Sequence, residues 1–161
     1  MAKSIHDFSL NSLQGASIDF SAYKGKKILL VNVASQCGLT PQYTQLETLA
    51  KAGADQLVVI GCPANNFGAQ EPGTDVEIAQ FCSSTYGISF PITTKISVTG
   101  QDQHALYQFV TQKEQNGVQD SSVQWNFQKY LLDEQGQLIQ VFEPTIEPLD
   151  ERILAATGVS L

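Results

Sequence analysis

One segment in the first third of the chain constrains the fold more than any other. Residues 26–34 form an almost continuous apolar run, which is typical of a strand buried on both faces of a sheet. Thr40 and Pro41 follow as the cap and first turn of a helix that would run to about Lys51, and residues 56–61 form a second apolar strand. This order predicts a right-handed crossover between two parallel strands, the core of an α/β sheet.

Apolar periodicity and turn residues predict the remaining elements. They are an N-terminal hairpin from residues 5–10 and 17–20, an irregular loop at 63–73, a helix starting near Asp75, an extended segment at 90–92, a helix at 103–113, a hairpin from 126–133 and 137–142, and a helix at 148–157. Together they predict a mixed central sheet flanked by helices. No repeat or low-complexity tract divides the chain, so we expect residues 1–161 to form a single domain.

Composition and charge exclude several classes of function. With 42% hydrophobic and 16% charged side chains in 161 residues, the chain can bury a substantial core and is not a disordered polymer. Asp and Glu number 16 against 9 for Lys and Arg, giving a net charge of −7. Nucleic acid is therefore not an expected partner, because its phosphates require a basic surface.

Neither a membrane span nor a signal peptide is predicted. The longest apolar stretches, residues 28–31 and 57–60, are far too short to cross a bilayer, and we expect a cytoplasmic protein without integral membrane association. The three cysteines, Cys37, Cys62 and Cys82, include no C-x-x-C pair and no cluster at metal-ligand spacing. We therefore expect no disulfide scaffold, no metal and no cofactor.

Cys37 is the best candidate nucleophile. It lies between the end of a predicted strand and the start of a predicted helix, where unpaired N–H groups and the helix dipole stabilise a thiolate. The alternative is a buried structural cysteine. His6 and His104 are distant in sequence, so a Cys–His hydrolase pair has little local support.

Neutral hydrogen-bond donors are predicted near this thiol. Asn65, Asn66 and Gln70 carry amides on the loop that leaves the neighbouring parallel strand at the same sheet end, and Trp125 and Asn126 add an indole N–H and another amide. Such donors hold a thiolate without protonating it and orient a peroxide, which favours redox chemistry over acyl transfer. The alternative is that these amides form turns and that the Trp fills the core.

Three motifs resemble those of the glutathione peroxidase family in its cysteine-containing form. Residues 32–40, NVASQCGLT, resemble the nucleophile motif; residues 66–73, NFGAQEPG, resemble the second motif; residues 123–127, VQWNF, resemble the third. Their order and separation also match, and the resemblance extends from about residue 8 to the C-terminal helix. It implies a thioredoxin-like fold with an N-terminal β-hairpin.

The resemblance also implies a catalytic tetrad. It makes Cys37 the peroxidatic cysteine, with Gln70, Trp125 and Asn126 as the hydrogen-bonding residues around it. The implied reaction reduces hydrogen peroxide and organic or lipid hydroperoxides to water or an alcohol through a Cys37 sulfenic acid. Such a thiol peroxidase serves the response to oxidative stress and must be recycled by a reductant.

A second thiol completes the cycle in cysteine-type members. Cys82 resembles the resolving position, from which it would form a disulfide with Cys37 after local unwinding of its helix. Cys62 is the weaker candidate, and Ala64 stands where the family commonly has a cysteine. The alternative is that Cys82 is a core residue and an external thiol reduces the sulfenic acid directly.

The reductant and assembly are inferred from charge and loop length. Glutathione is an anion, yet the site motifs lack Lys and Arg, so a thioredoxin-like reductant is expected ahead of glutathione. The short connection at residues 112–123 implies a monomer by comparison with tetrameric members. A hydroperoxide sensor or redox relay remains an alternative function, while a thiol–disulfide reductase is disfavoured because Thr40 replaces the second cysteine of a C-x-x-C motif.

Overall fold

A computed structural model describes residues 4–161, which form a two-stranded hairpin and a four-stranded mixed sheet with helices on both faces. The strands are β1 (Ser9–Asn11), β2 (Ser17–Asp19), β3 (Lys27–Val33), β4 (Leu57–Pro63), β5 (Lys129–Leu132) and β6 (Leu138–Phe142). The helices are α1 (Gln42–Ala52), α2 (Asp75–Phe81), α3 (Ala105–Thr111), α4 (Lys113–Asn116) and α5 (Glu151–Thr157), with short 3-10 turns at Ile5–Asp7 and Phe20–Tyr23. The predicted domain begins at residue 1, and residues 1–3 lie outside the described part of the chain.

The main sheet has the strand order β4-β3-β5-β6. β3 pairs parallel with β4, with Leu30 opposite Ile60, and antiparallel with β5, which pairs antiparallel with β6. The predicted strand, helix and strand are therefore confirmed, and so is the antiparallel hairpin that follows. The mixed sheet agrees with the predicted fold class.

The sheet separates two apolar layers, because side chains alternate along each strand. Leu29, Val31 and Val33 pack on one side with residues of α1, α2 and α5, which we call the α1 face. Ile28 and Leu30 pack on the other side with residues of α3, which we call the α3 face. All five side chains are fully buried, as the apolar run of the central strand predicts.

Three predicted elements differ in detail from the observed ones. β5 begins at Lys129 instead of residue 126, because Phe127 has a positive φ of 71° that no strand residue adopts. The predicted helix over 103–113 is divided, since Gln112 is extended (φ −109°, ψ 116°) between α3 and α4. The chain after α2 continues as one π-type turn, Cys82–Tyr86, which ends at the left-handed Gly87.

The N-terminal hairpin is present, with Leu10 and Ile18 paired across it and both buried. The C-terminal helix begins at Glu151 after an Asp150 side-chain cap. Within residues 4–161, no helix combines the length and apolarity needed to cross a membrane.

Candidate active site

Cys37 lies four residues beyond β3, in the turn that leads to α1. Thr40 fixes this turn, because its hydroxyl donates to the carbonyl of Ala34 over 2.7 Å and accepts from the backbone N–H of Cys37 over 3.0 Å. The backbone N–H of Leu39 donates to the Cys37 sulfur over 3.3 Å. Thr40 therefore shapes the turn around the thiol, whereas α1 begins at Gln42 without a side-chain cap. The cysteine is 9% exposed and has a backbone donor on its sulfur.

Gln70 connects the loop after β4 to the Cys37 turn. Its backbone carbonyl accepts from the N–H of Gln36, the residue before Cys37, over 3.0 Å. Its side-chain oxygen accepts from the Asn126 amide nitrogen, also over 3.0 Å. Three segments that are distant in sequence therefore meet next to the thiol, and the bond from Asn126 leaves the amide nitrogen of Gln70 to donate.

Trp125, on the loop before β5, lies beside the loop that carries Gln70. Its ring packs on Phe67 with centroids 5.5 Å apart, and its backbone carbonyl accepts from the Asn32 side chain on β3 over 3.0 Å. The Asn32 carbonyl in turn accepts from the N–H of Phe127 over 2.6 Å. Asn32 is fully buried and thus anchors the Trp125 loop to the central strand, while Trp125 itself remains 38% exposed.

The loop between Phe67 and Gln70 has a left-handed backbone. Gly68 has a φ of 64°, and a Cβ placed there would lie 3.3 Å from the Trp125 ring and 3.4 Å from the Gln70 side chain. Ala69, with a φ of 51°, is the neighbouring left-handed residue. The absence of a side chain at Gly68 thus allows the loop to approach both predicted site residues closely.

Two of the predicted donors serve the loop itself. The side-chain oxygen of Asn65 accepts from the N–H of Glu71 over 2.9 Å. The Asn66 amide donates to Ser97 Oγ over 3.0 Å and accepts from the N–H of Val98 over 2.9 Å. These hydrogen bonds stabilise the Gln70 loop instead of facing the thiol.

A cavity of about 800 Å³ opens beside Leu39 and Trp125. Its other walls carry mainly neutral polar groups, including Ser122, Gln124 and Thr145, with Glu143 as the charged lining residue. Among the residues that the structure describes, no Lys or Arg lines it. The cavity adjoins Leu39, whose N–H donates to the Cys37 sulfur, whereas Cys37 itself is not among its lining residues.

Cys82 lies on the same side of the sheet as Cys37. Both belong to the buried cluster on the α1 face, and the Cys82 thiol donates to the Tyr43 hydroxyl over 3.6 Å. Burial raises the pKa of the Cys82 thiol, and the hydrogen bond with Tyr43 opposes part of this rise. Its side chain is 3% exposed, which agrees with the predicted core-facing position on the helix.

Cys62 lies on the opposite side of the sheet, in the cluster on the α3 face. It is fully buried, and burial raises the pKa of its thiol to about 12, against smaller opposing effects from Thr93 and Tyr107. All three cysteines are free in the structure. A β-sheet therefore separates Cys62 from the other two thiols.

Lys129 is a buried cation near the site that sequence reasoning missed. Its ammonium donates to Gln42 Oε1 over 2.6 Å and to the carbonyls of Pro144 and Ile146 over 2.9 and 2.5 Å. Burial lowers its pKa to about 7. The available signal was a lone Lys within an otherwise apolar strand. Its bonds connect β5 to the start of α1 and to the chain after β6.

Glu71 is a second buried charged residue that sequence reasoning missed. Its side chain is 1% exposed, directly after Gln70, and burial raises the pKa of its carboxyl despite opposing effects of Ser35 and Lys95. The only signal in the sequence was an acidic residue within a Gly- and Pro-rich loop. For metals, no suitable group of three or more His, Cys, Asp or Glu occurs within residues 4–161.

The fold and the site together define a class of protein, the thiol proteins of the thioredoxin fold. The cysteine follows the central strand, and two further loops, which carry Gln70 and Asn126, are hydrogen-bonded to its turn and to each other. The sequence profile of the glutathione peroxidase family matches residues 5–111. A glutathione peroxidase homolog, BsaA, of Halalkalibacterium halodurans is 43% identical over 147 residues, covering 91% of this chain and 93% of its own. The glutathione peroxidase-like peroxiredoxin 2 of Saccharomyces cerevisiae is 40% identical over 156 residues, covering 95% and 96%.

Solved structures agree with this assignment. The crystal structure of T. cruzi GPX1 superposes with a TM-score of 0.68 at 27% identity, covering 98% of each chain. A thiol:disulfide interchange protein of Chlorobium tepidum superposes with a TM-score of 0.65 at 18% identity, covering 93% of this chain and 92% of its own, and shares the thioredoxin fold. The chain belongs to the glutathione peroxidase family, and it is a peroxidase with the antioxidant function of that family.

Proposed function

We propose that the protein is a thiol peroxidase that reduces hydrogen peroxide and organic or lipid hydroperoxides through Cys37 during oxidative stress. The observation that carries this proposal is the position of Gln70. Its backbone is bonded to Gln36 beside the thiol, and its side chain is bonded to Asn126. An amide on this framework is a preorganised donor, which is the requirement for stabilising a developing charge.

In the first step, the Cys37 thiolate attacks one peroxide oxygen and the O–O bond breaks. The sulfur becomes a sulfenic acid, and the other oxygen leaves as water or an alcohol after taking up a proton. The N–H of Leu39 stabilises the negative sulfur before attack. We assign the amide of Gln70, the amide of Asn126 and the indole of Trp125 to holding the thiolate and orienting the peroxide.

In the second step, the Cys82 thiol attacks the sulfur of the sulfenic acid, a disulfide with Cys37 forms and water leaves. The common location of the two thiols in the cluster on the α1 face supports this pairing over one with Cys62. A Cys62 pairing would require a bond across the sheet, and its fully buried thiol has a pKa of about 12. We therefore propose Cys82 as the resolving cysteine.

Resolution also requires a local conformational change. Cys82 is 3% exposed, and it begins the π-type turn Cys82–Tyr86 after the regular turns of α2. This turn keeps three exposed small polar residues, 83–85, on the surface. Opening a single irregular turn costs less than unfolding a whole helix, which supports it as the segment that moves.

We propose a thioredoxin-like protein as the reductant, with glutathione as the weaker candidate. Glutathione is an anion, and the cavity beside Leu39 and Trp125 carries Glu143 and no lining cation among the described residues. A protein dithiol reduces a disulfide by exchange and needs no cation at the site. A cytoplasmic location and a monomeric state remain predictions from the sequence.

The test is to treat the reduced protein with one equivalent of hydrogen peroxide and to map disulfides by mass spectrometry of a non-reducing digest. We expect a bond between Cys37 and Cys82 with Cys62 free. Cys82→Ser should leave a sulfenic acid at Cys37, while the matched control Cys62→Ser should form the same bond as the wild type. Turnover with thioredoxin and with glutathione then identifies the reductant.

Two results would contradict parts of this proposal. If Cys37 stops at a sulfenic or sulfinic acid while Cys82 stays free, Cys82 is not the resolving residue and an external thiol or a relay partner takes its place. If Cys37 is not oxidised at all, the proposed mechanism fails.

A further inference from the structure

Glu71 is a buried acidic residue without a role in the steps above. Its backbone is held firmly, because its N–H donates to Asn65 Oδ1 over 2.9 Å and its carbonyl accepts from Lys95 Nζ over 3.1 Å. Its side chain is 1% exposed, and Ser35, on the Cys37 turn, is a neighbouring polar group and lowers the pKa of the carboxyl. Within residues 4–161, however, neither Glu71 Oε2 nor Ser35 Oγ makes a hydrogen bond of good geometry. A carboxylate buried with so few well-placed partners costs folding free energy, so its presence calls for an explanation.

Glu71 shares a small cavity with residues that precede the two cysteines of the proposed cycle. A cavity of about 230 Å³ is lined by Ser35 and Gln36 from the Cys37 turn, by Glu71, and by Ile78 and Phe81 from α2. Gln36 and Phe81 immediately precede Cys37 and Cys82. Glu71 therefore lies beside both the Cys37 turn and the end of α2, the two segments that must come together for Cys82 to reach Cys37.

The charge of Glu71 already acts on the resolving thiol in the closed structure. Burial raises the pKa of Cys82, the bond with Tyr43 lowers it, and the negative charge of Glu71 raises it further. The same charge contributes to the raised pKa of the Tyr43 hydroxyl, whose largest cause is burial. Glu71, Tyr43 and Cys82 thus form one electrostatically coupled buried group.

We propose that Glu71 is the proton acceptor for Cys82 during disulfide formation. This inference rests on the proposed role of Cys82 and adds a residue to it. The Glu71 carboxylate takes the proton from the Cys82 thiol, and the resulting thiolate attacks the Cys37 sulfur. The new S–S bond forms as the S–O bond breaks, and the leaving hydroxide takes the proton back from Glu71 as water. No external oxidant or reductant is needed in this step.

The surroundings of Glu71 suit a base. Burial raises the pKa of its carboxyl, which moves it towards neutral pH, where a base is both ionised and strong enough to accept a proton. The charged and titratable groups around it are Lys95, Glu77 on α2, Tyr43 on α1 and Cys82. Lys95 is the cation among them, and its charge opposes part of the rise in the pKa of the Glu71 carboxyl.

The test is single-turnover kinetics, with Cys37 oxidation and disulfide formation followed separately after a pulse of hydrogen peroxide. Glu71→Gln should oxidise Cys37 at the wild-type rate but form the disulfide slower by at least about tenfold, the lower range for loss of a general base. Its sulfenic acid should accumulate. Glu77→Gln is the matched control, because Glu77 lines the same cavity and caps α2, a role that Gln also fills.

The pH profile distinguishes a base from a merely structural residue. In the wild type, the rate of disulfide formation should rise as the Glu71 carboxyl ionises, whereas in Glu71→Gln it should rise only at the higher pH where the thiol itself ionises. Glu71→Asp keeps the base and should retain the wild-type profile with a reduced rate. Circular dichroism of each variant checks that it is folded.

The results distinguish the role of Glu71 as a base from the role of Cys82 as the resolving cysteine. Wild-type disulfide kinetics and pH profile in Glu71→Gln would overturn the role of Glu71 while leaving Cys82 as the resolving residue. Equal slowing of both steps would overturn it too, since it would indicate a general disturbance of the site. If the wild type forms no bond between Cys37 and Cys82, the proposed cycle itself fails.

Discussion

Asn126 donates from Nδ2 to the side-chain oxygen of Gln70 over 3.0 Å, and this bond joins two loops that are 56 residues apart. The fully buried Asn126 thereby determines which end of the Gln70 amide is available. With its oxygen bonded, Gln70 has its nitrogen left to donate. Since a thiolate and a departing peroxide oxygen both need donors, the bond orients Gln70 for the proposed first step.

Removing this bond should slow oxidation of Cys37. Asn126→Ala releases the Gln70 amide to rotate, and we expect the rate of reaction with hydrogen peroxide to fall by roughly 10²-fold, the lower range for loss of one preorganised donor. The measurement is stopped-flow oxidation in single turnover. Gln140→Ala is the control, because that exposed amide on β6 lies outside the cavity lining and should keep the wild-type rate. Unchanged oxidation in Asn126→Ala would refute the donor role.

The left-handed loop gives a second, matched pair of variants. Gly68→Ala places a Cβ 3.3 Å from the Trp125 ring and adds the strain of an L-residue at a φ of 64°, so we expect slower Cys37 oxidation and a shifted Trp fluorescence spectrum. Ala69→Gly relieves a φ of 51° at the next residue without adding an atom. It should keep the wild-type oxidation rate. The same slowing in both variants would contradict the explanation by close approach to Trp125.

Cys62 should be inert in the folded protein. Treatment with iodoacetamide at about pH 8 should label Cys37 but leave Cys62 unlabelled until denaturant is added, because its fully buried thiol has a pKa of about 12. In the unfolded chain the thiol is exposed to water and ionises near its ordinary pKa of 9.0. Because the unfolded chain loses this proton at a lower pH than the folded protein, Cys62 should lower the free energy of unfolding as the pH rises from 9 towards 12. Native labelling of Cys62, read by mass spectrometry, would contradict this.

Lys129 should make stability depend on pH in the opposite direction. Its pKa is about 7 when folded, against 10.5 for a lysine in water, so above about pH 7 the unfolded chain binds more protons and folding gains stability as pH rises. We would measure the free energy of unfolding in urea at about pH 6, 7, 8 and 9. Above pH 7, the value for the wild type should rise relative to that of Lys129→Met by up to about 1.4 kcal/mol per pH unit. Parallel profiles for the two proteins would refute the shift.

Much of the sheet was predictable because its strands are defined by local patterns. The apolar run before Cys37 and the run over residues 56–61 need no tertiary information, since a strand buried on both faces has few polar positions. The start of β5 was not predictable in this way. Phe127 adopts its positive φ because its ring packs edge-on against Tyr43 at 5.5 Å and its N–H bonds to Asn32, and neither partner is near in sequence.

The burial of Lys129 and Glu71 near the candidate site was also not predictable from local sequence patterns. Two of the three acceptors of the Lys129 ammonium are carbonyls 15 and 17 residues away, and the third is Gln42, 87 residues away. Only the assembled fold brings them together. Glu71 likewise lines a cavity with residues of the Cys37 turn and of α2, and the pattern of a Gly- and Pro-rich segment does not predict that tertiary neighbourhood.

The main sheet also divides the three thiols of the protein into two separate environments. In the proposed cycle, oxidation at Cys37 is passed to Cys82 on the same α1 face, while Cys62 lies on the other side of the four-stranded sheet. An odd number of cysteines normally invites mispaired disulfides during repeated oxidation. Here the sheet keeps the third thiol away from the other two, so in the proposed cycle each turnover begins and ends with the same two sulfur atoms.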